Sequence, residues 1–330
     1  MSNNKKVCSL KSIPSFTWST KLGGISTPSM EKKKRYKQVN QYLILCKLGE
    51  GSYSKVFLGQ DQQTLEYYAL KRINLKPLSK TPSGMDQLNF EIEIMKKLNH
   101  SNIVSLHEVI YDTPKKYVYI VIEYANCGNL SSIIESDFNL SPEHIQNIFA
   151  QLVTGVSYLH QNSIVHQDLK PANILMNSDG KVLISDFGIG HTFQYEAFVV
   201  GTPAYQAPEV IDDSHVSTNN SKANPAEEDV WSLGVTLYEL VFKNLPFYGN
   251  NVFEIVHAIS KESLAEPPSP CDPILWDLIK KMLIVDPQKR ITIPEIMNHP
   301  YFLNASIDNN PMVGYKVFVP PSIENRRNSV

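Results

Sequence analysis

The periodicity of this chain changes once, near Ile122, and that change limits its fold to strands gathered first and helices gathered after. From Tyr42 to Ile122 the text is mostly strand-like. The stretches Tyr42 to Cys46, Lys55 to Leu58, Tyr67 to Leu70, Ile103 to Ile110 and Tyr117 to Ile122 are separated by turn-forming residues. One helix interrupts them, from about Met85 to Leu98, where Leu88, Ile92 and Met95 recur at helical spacing with Glu91 beside that face. Beyond Ile122 the pattern is helical to Phe302. Ser141-Pro142-Glu143 supplies an N-cap and a first-turn proline ahead of the apolar stripe Ile145, Ile148, Phe149, Leu152, Val156 and Leu159. The segment Val230 to Val241 is apolar on nearly all sides and predicts a central helix enclosed by others.

The flanks read differently. Residues 1–38 are rich in Ser, Thr, Lys and Pro and are expected to be a flexible extension, because they cannot bury enough surface to offset chain entropy. Residues 303–330 return to polar, Pro- and Asn-rich text and are expected to be a tail. Thirty-one Lys plus Arg against thirty-three Asp plus Glu give a formal charge of −2, which provides no global field for nucleic acid or an anionic membrane. No stretch reaches the roughly 18 apolar residues of a membrane span. The four dispersed cysteines fit a reduced compartment. The N-terminus lacks the apolar run of a secretory leader, so the expected place is the cytoplasm, with the nucleus as the alternative.

The chemistry-bearing residues occur in a fixed order. Gly49-Glu50-Gly51-Ser52-Tyr53-Ser54-Lys55-Val56 lies between two predicted strands, where glycines let backbone amides close over phosphates. It is followed by Ala69-Leu70-Lys71, then Glu91, then His166-Gln167-Asp168-Leu169-Lys170-Pro171-Ala172-Asn173, then Asp186-Phe187-Gly188, then Ala207-Pro208-Glu209. The order and spacing resemble the signature set of eukaryotic protein kinases, over about residues 42–302.

That resemblance implies an α+β bilobal fold: a five-stranded antiparallel sheet with one helix in an N-lobe at 39–125, and a mainly helical C-lobe at 126–302. It also implies transfer of phosphate from ATP to a protein hydroxyl with Mg²⁺, a reaction governed by positioning and by neutralising charge around the γ-phosphate. Asp168 would orient the substrate hydroxyl and accept its proton. Lys170 would sit against the transferring phosphate, and a Lys there resembles the serine/threonine branch. Lys71 would hold the α- and β-phosphates, oriented by an ion pair with Glu91, while Asn173 and Asp186 would offer hard oxygens to Mg²⁺. The nucleotide set is completed by Gly49, Glu50, Gly51, Ser52, Val56, Ala69, Glu123, Ala125, Asn129 and Leu175. Val56, Ala69 and Leu175 would enclose the adenine, and Glu123 and Ala125 would offer it backbone hydrogen bonds. Glu209 would pair with Arg290, and Asp229 would brace the catalytic loop.

Two departures bear on regulation. Gln167 stands where family members switched by loop phosphorylation carry an Arg, and a Gln cannot pair with a phosphate. Tyr195 to Val200 has no Ser or Thr at the usual phosphosite, four residues before Thr202. The expectation is an activation segment competent without phosphate, held by Phe198, Val199 and Val200. Asn129 and Ala172 replace acidic residues that favour Arg in substrates. Several blocks, among them Val200-Gly201-Thr202-Pro203-Ala204-Tyr205 and Pro294 to Pro300, resemble calcium/calmodulin-dependent protein kinase kinases and their yeast counterparts. The resemblance implies that the protein substrate is itself a kinase. Residues 303–330 carry no basic amphipathic stripe, which argues against calmodulin as a partner. The rival class is a pseudokinase scaffold, and Lys71, Asp168 and Asp186, all present, speak against it.

Overall fold

The computed structural model describes residues 36–51, 54–80, 84–186, 203–211, 224–249, 251–261, 264, 266–302 and 311–320. Its main sheet is antiparallel with six strands, β1 (Lys37–Val39), β2 (Tyr42–Glu50), β3 (Ser54–Asp61), β4 (Tyr67–Asn74), β5 (Leu106–Asp112) and β6 (Tyr117–Glu123), in the order β1-β2-β3-β4-β6-β5. Five strands were expected. The additional one, β1, turns tightly into β2: Val39 pairs with Tyr42, and Asn40 takes the left-handed conformation at φ 47°. Asn tolerates that region better than most residues. Lys37 and Gln38, expected to end the flexible extension, are the first two residues of this strand.

The strand expected from Ile103 begins only at Leu106. Ile103 instead makes an isolated parallel bridge to Ile184, and Val104 donates its N–H to the Ile184 carbonyl. The chain therefore stitches the two lobes together before it enters the sheet. A short helix α1 (Leu75–Leu78), capped by the Asn74 side chain, precedes α2 (Gly84–Lys97), which buries Leu88, Glu91, Ile92 and Met95. The expected face and the observed one coincide.

The second lobe contains α3 (Leu130–Ile134), α4 (Pro142–Gln161), the hairpin β7 (Ile174–Met176) and β8 (Val182–Ile184), α5 (Pro208–Ile211), α6 (Pro225–Phe242), α7 (Val252–Lys261), α8 (Pro273–Met282) and α9 (Ile293–Met297). Ser141 caps α4 as its sequence predicts, accepting from the His144 N–H, with Pro142 at the first helical position. Helix α6 is the central one. Val230, Trp231, Leu233, Val235 and Leu237 are at most 2% exposed, which explains its apolar character on every side. Gly234 permits this packing, since a Cβ there would lie 2.9 Å from the Met282 Cβ.

Residues 311–320 lie against the body of the domain. Met312 is buried and donates its N–H to the Ser178 carbonyl, Tyr315 meets Phe138 edge-on, and the Phe318 N–H reaches the Asn126 carbonyl. Among the described residues no helix is long and apolar enough to cross a membrane.

Candidate active site

The catalytic loop between α4 and β7 is held by one buried carboxylate. Asp229, fully buried on α6, accepts the N–H of His166 on Oδ2 and that of Gln167 on Oδ1, each at 2.9 Å, and its Oδ2 also meets His160 Nε2 at 2.8 Å. Its bracing role agrees with the expectation from sequence; the His160 contact has no sequence signal. Gln167 is itself left-handed at φ 62°, a conformation that costs a non-glycine residue about 1–2 kcal/mol and persists because its surroundings fix it. His166, 1% exposed, bonds the Ser185 carbonyl through Nε2 at 2.9 Å and receives the Asp168 N–H on Nδ1 at 3.3 Å.

This framework presents Asp168 to the cleft. Lys170 Nζ spans both its carboxylate oxygens at 2.9 and 2.8 Å, and the Asn173 amide donates to its Oδ2 at 2.8 Å and its carbonyl at 2.9 Å. Asn173 is tied to Ser185 in turn, whose N–H and hydroxyl both reach the Asn173 carbonyl at 2.9 Å. Asp186 thus stands next to Asn173, with its own backbone left-handed at φ 61°.

Lys71 on β4 makes its ion pair with Asp186, whereas the family resemblance implied Glu91 as the partner. Burial alone would lower the Lys71 pKa, but the charges of Asp186 and Glu91 outweigh it and hold the ammonium above its ordinary value. Lys71 holds the Asp186 carboxyl below the usual range in return. Glu91 therefore acts on Lys71 through its charge, and both line one small cavity with Met95, Val104, Ile120, Ile122 and Asp186. Helix α2 and Lys71 are adjacent, with the Asp186 carboxylate bonded to the lysine from the other lobe.

Of the residues expected to enclose the adenine, Ala69 is buried and Val56 and Leu175 are part-buried against the core; Ala125, expected to offer a backbone hydrogen bond, is buried. Glu123 continues β6 opposite Tyr68; its N–H goes to the Ser105 carbonyl and its carboxylate to Lys181 at 2.6 Å. Gly49, whose Cβ position has no neighbour within 4 Å, and Gly51, whose N–H bonds the Ser54 carbonyl, frame the phosphate loop. Glu50 is pinned there by Lys47 and Lys55, which pull its carboxyl down to about 2. Asn129 has a role in the fold. Its side-chain oxygen caps α3, accepting from the Ser132 N–H and hydroxyl at 2.9 Å. Ser52, Phe187, Gly188 and the segment from Tyr195 to Thr202, with the packing expected of Phe198, Val199 and Val200, lie outside the described residues.

The donor set suits Mg²⁺. Asn173 spends its amide nitrogen on Asp168, which leaves its amide oxygen as the atom that could ligate a metal, and Asp186 adds a half-exposed carboxylate. One carboxylate and one amide oxygen are the sparse protein share that Mg²⁺ takes when phosphates and water fill the rest; among the described residues there is no denser His, Cys, Asp or Glu cluster. When bound, the ion would neutralise charge on the nucleotide phosphates.

Away from the cleft, Arg290 and Glu209 form the expected bidentate pair at 2.7 and 2.9 Å. Arg290 also donates to the carbonyls of Ile284, Val285 and Glu227 and lies over the Trp231 ring at 5.1 Å.

A strand-and-helix cleft with this lysine, catalytic loop and metal pair defines a phosphotransferase. The family model described as protein kinase domain matches residues 42–302, and the chain belongs to the protein kinase family. It is 35% identical over 304 residues to the serine/threonine-protein kinase STK11 of Homo sapiens, covering 89% of this chain and 67% of that protein. It is 37% identical over 280 residues to a probable serine/threonine-protein kinase of Dictyostelium discoideum, covering 82% of this chain and 39% of that one. It is also 34% identical over 302 residues to CBL-interacting protein kinase 16 of Oryza sativa, covering 86% and 60%. This chain is a protein serine/threonine kinase.

Proposed function

We propose that this kinase acts upstream of other kinases, phosphorylating the activation-loop threonine of AMP-activated, SNF-type or calmodulin-dependent kinases, and that it needs no phosphate on its own activation segment. Gln167 is the observation that carries the reading. It occupies the turn from which an Arg would reach a phosphate, and its backbone is already fixed by Asp229. The blocks resembling calmodulin-dependent kinase kinases and the absence of acidic side chains at Asn129 and Ala172 support the choice of substrate. The nucleotide in this reading is ATP and the metal Mg²⁺, both held by the residues described above, and the kinase works in the cytoplasm.

In the cleft, the carboxylate of Asp168 orients the incoming threonine hydroxyl and receives its proton as the Oγ–P bond forms and the bond from the γ-phosphorus to the β,γ-bridging oxygen of ATP breaks, ADP leaving with that oxygen. Lys170, already on Asp168, faces the charge of the transferring group. Lys71 would hold the nucleotide phosphates, and Asp186, now paired with it, would offer its carboxylate to the metal.

A second reading keeps the chemistry and changes the substrate. Identities of 35% to STK11 and 34% to a CBL-interacting kinase are nearly equal, so they single out no branch. The deciding experiment incubates the protein with Mg²⁺, labelled ATP and a catalytically dead AMP-activated-type kinase domain, using Asp168→Asn and the substrate's loop Thr→Ala as controls. Transfer that needs both Asp168 and the loop threonine is the expected result. Transfer to generic proteins alone would sink the substrate assignment, and no transfer to anything would favour a scaffold.

A further inference from the structure

The main sheet has a second charged face, on the side away from the nucleotide. Strand alternation places Lys71 and Val56 on the cleft side and Arg72 and Lys55 on the other, where the register sets Arg72 directly across from Lys55 on β3 and from Tyr119 on β6. Like charges directly opposite one another weaken a sheet. Lys55 is paired with Glu50, but Glu50 is also paired with Lys47, so one carboxylate serves two ammonium groups. Arg72 pairs with no carboxylate among the described residues. Its guanidinium lies over the Phe57 ring at 5.1 Å and over the Tyr117 ring at 4.6 Å, contacts that fix the group and leave its N–H donors open to a ligand. Arg72 and Lys55 line a cavity of about 150 Å³ together with Glu50, Ser54, Asn74 and Tyr117. The Asn74 side-chain oxygen is committed to the Lys76 N–H, so its amide nitrogen is the group it can offer there.

We propose that this cavity is an anion site distinct from the nucleotide cleft, and that it binds the phosphate monoester of a phosphoserine or phosphothreonine carried by a partner protein. The planar guanidinium of Arg72 matches two phosphate oxygens at once, and Lys55 opposite it supplies the second positive charge. A carboxylate brings one charge and two acceptor oxygens; a phosphate monoester brings nearly two charges and three oxygens, which answers both opposed cations and the neutral donors of Ser54 and Asn74. Binding it relieves the repulsion between Arg72 and Lys55 that the sheet otherwise bears. The cations also continue beyond the cavity. Lys47 stands opposite Phe57, and Lys37 donates to the Tyr119 hydroxyl at 2.8 Å, so the face suits an extended anionic chain rather than a free ion.

The site is independent of the substrate assignment above, and its failure would leave that assignment untouched. The test uses the full chain with Mg²⁺ and saturating ADP, which fills the cleft, and reads the fluorescence polarisation of a labelled, otherwise uncharged peptide with one central phosphoserine. Saturable binding that weakens as salt rises is expected, with none to the same peptide carrying serine. Arg72→Gln should weaken binding about tenfold or more, because the paired donors are lost, and Arg72→Lys should not restore it. Arg72→Gln should also keep kcat on a generic protein within about twofold, since its side chain is on the face away from the cleft.

Lys55→Gln, on the neighbouring strand, should weaken the same binding and keeps the test alive if Arg72→Gln fails to fold. Equal binding of the serine peptide, undiminished binding by the folded variants, or binding seen only when ADP is left out would overturn the site. Inorganic phosphate that displaces the labelled peptide as effectively as unlabelled phosphopeptide does would assign the cavity to a free ion and overturn the protein partner. Displacement that needs far more inorganic phosphate than phosphopeptide is the result expected of a site that reads the phosphate together with the chain that carries it.

Discussion

Two sets of ion pairs in this kinase are built from the same residue types and differ in how completely they are enclosed. Arg290 and Glu209 are at most 2% exposed, bonded bidentately, and every remaining face of the guanidinium meets a carbonyl or the Trp231 ring. In the cleft, Asp168 and Lys170 are about a fifth exposed and Asp186 is 46% exposed, each carboxylate with one cationic side chain bonded to it. A closed pair has nothing left to offer a ligand and serves the fold. An open pair exchanges partners, as Lys71 and Asp186 must when phosphates and a metal enter.

The comparison breaks first at Asp168. Asp168→Asn keeps the shape and one acceptor oxygen for Lys170 and Asn173, loses the second bond from Lys170 and removes the proton acceptor, so kcat should fall about 10²–10⁴-fold with a far smaller change in melting temperature. Steady-state kinetics beside a thermal melt reads both. A large fall in melting temperature would place Asp168 with the structural pairs.

Arg290→Met is the complementary case. It strands the Glu209 carboxylate in the interior, at a cost of about 3–5 kcal/mol, and lowers the melting temperature by several degrees. Adding Glu209→Gln should return part of that loss, because no unpaired buried charge then remains. Residual kcat per folded molecule should be changed far less than by Asp168→Asn.

The closed pair is also the more legible one. Glu209 and Arg290 follow from motif positions alone, and the central helix from Val230 onward announces itself because apolar residues on all sides have only one home in a globular domain. Asp168, Lys170, Asn173 and Asp186 are equally plain as residues, being fixed by local spacing. Their partners are not. Whether Lys71 meets Glu91 or Asp186 depends on where α2 sits against the sheet, a tertiary quantity with no local pattern. Ile103 belongs to a short apolar run that reads equally as strand or as crossing segment, and β1 is too short for any period to register. The cap made by Asn129 is local instead, since an Asn directly before Leu130-Ser131-Ser132 is an N-cap signal in its own right.

Glu228 sharpens the comparison with the smallest effect, because it lies between the two sets: part-buried like the cleft residues, yet on the same helix as Asp229. Its carboxyl is raised to about 7 in the folded protein from an ordinary 4.5, chiefly by burial. Below the unfolded value both states hold the proton and the group is neutral to stability. As pH rises through that value the unfolded chain ionises first, so the folded state is penalised progressively, and the penalty is complete above the folded value. Glu228→Gln removes it. The variant should melt above wild type at pH 8, by roughly 2 °C once partial exposure is allowed for, and the two should converge as pH falls toward 4.5. A gain in stability at alkaline pH marks a carboxylate that the fold accommodates at a cost rather than one that supports it. If the variant instead melts below wild type at pH 8, the Glu228 carboxylate is a net stabiliser and belongs with Glu209 among the closed, structural pairs.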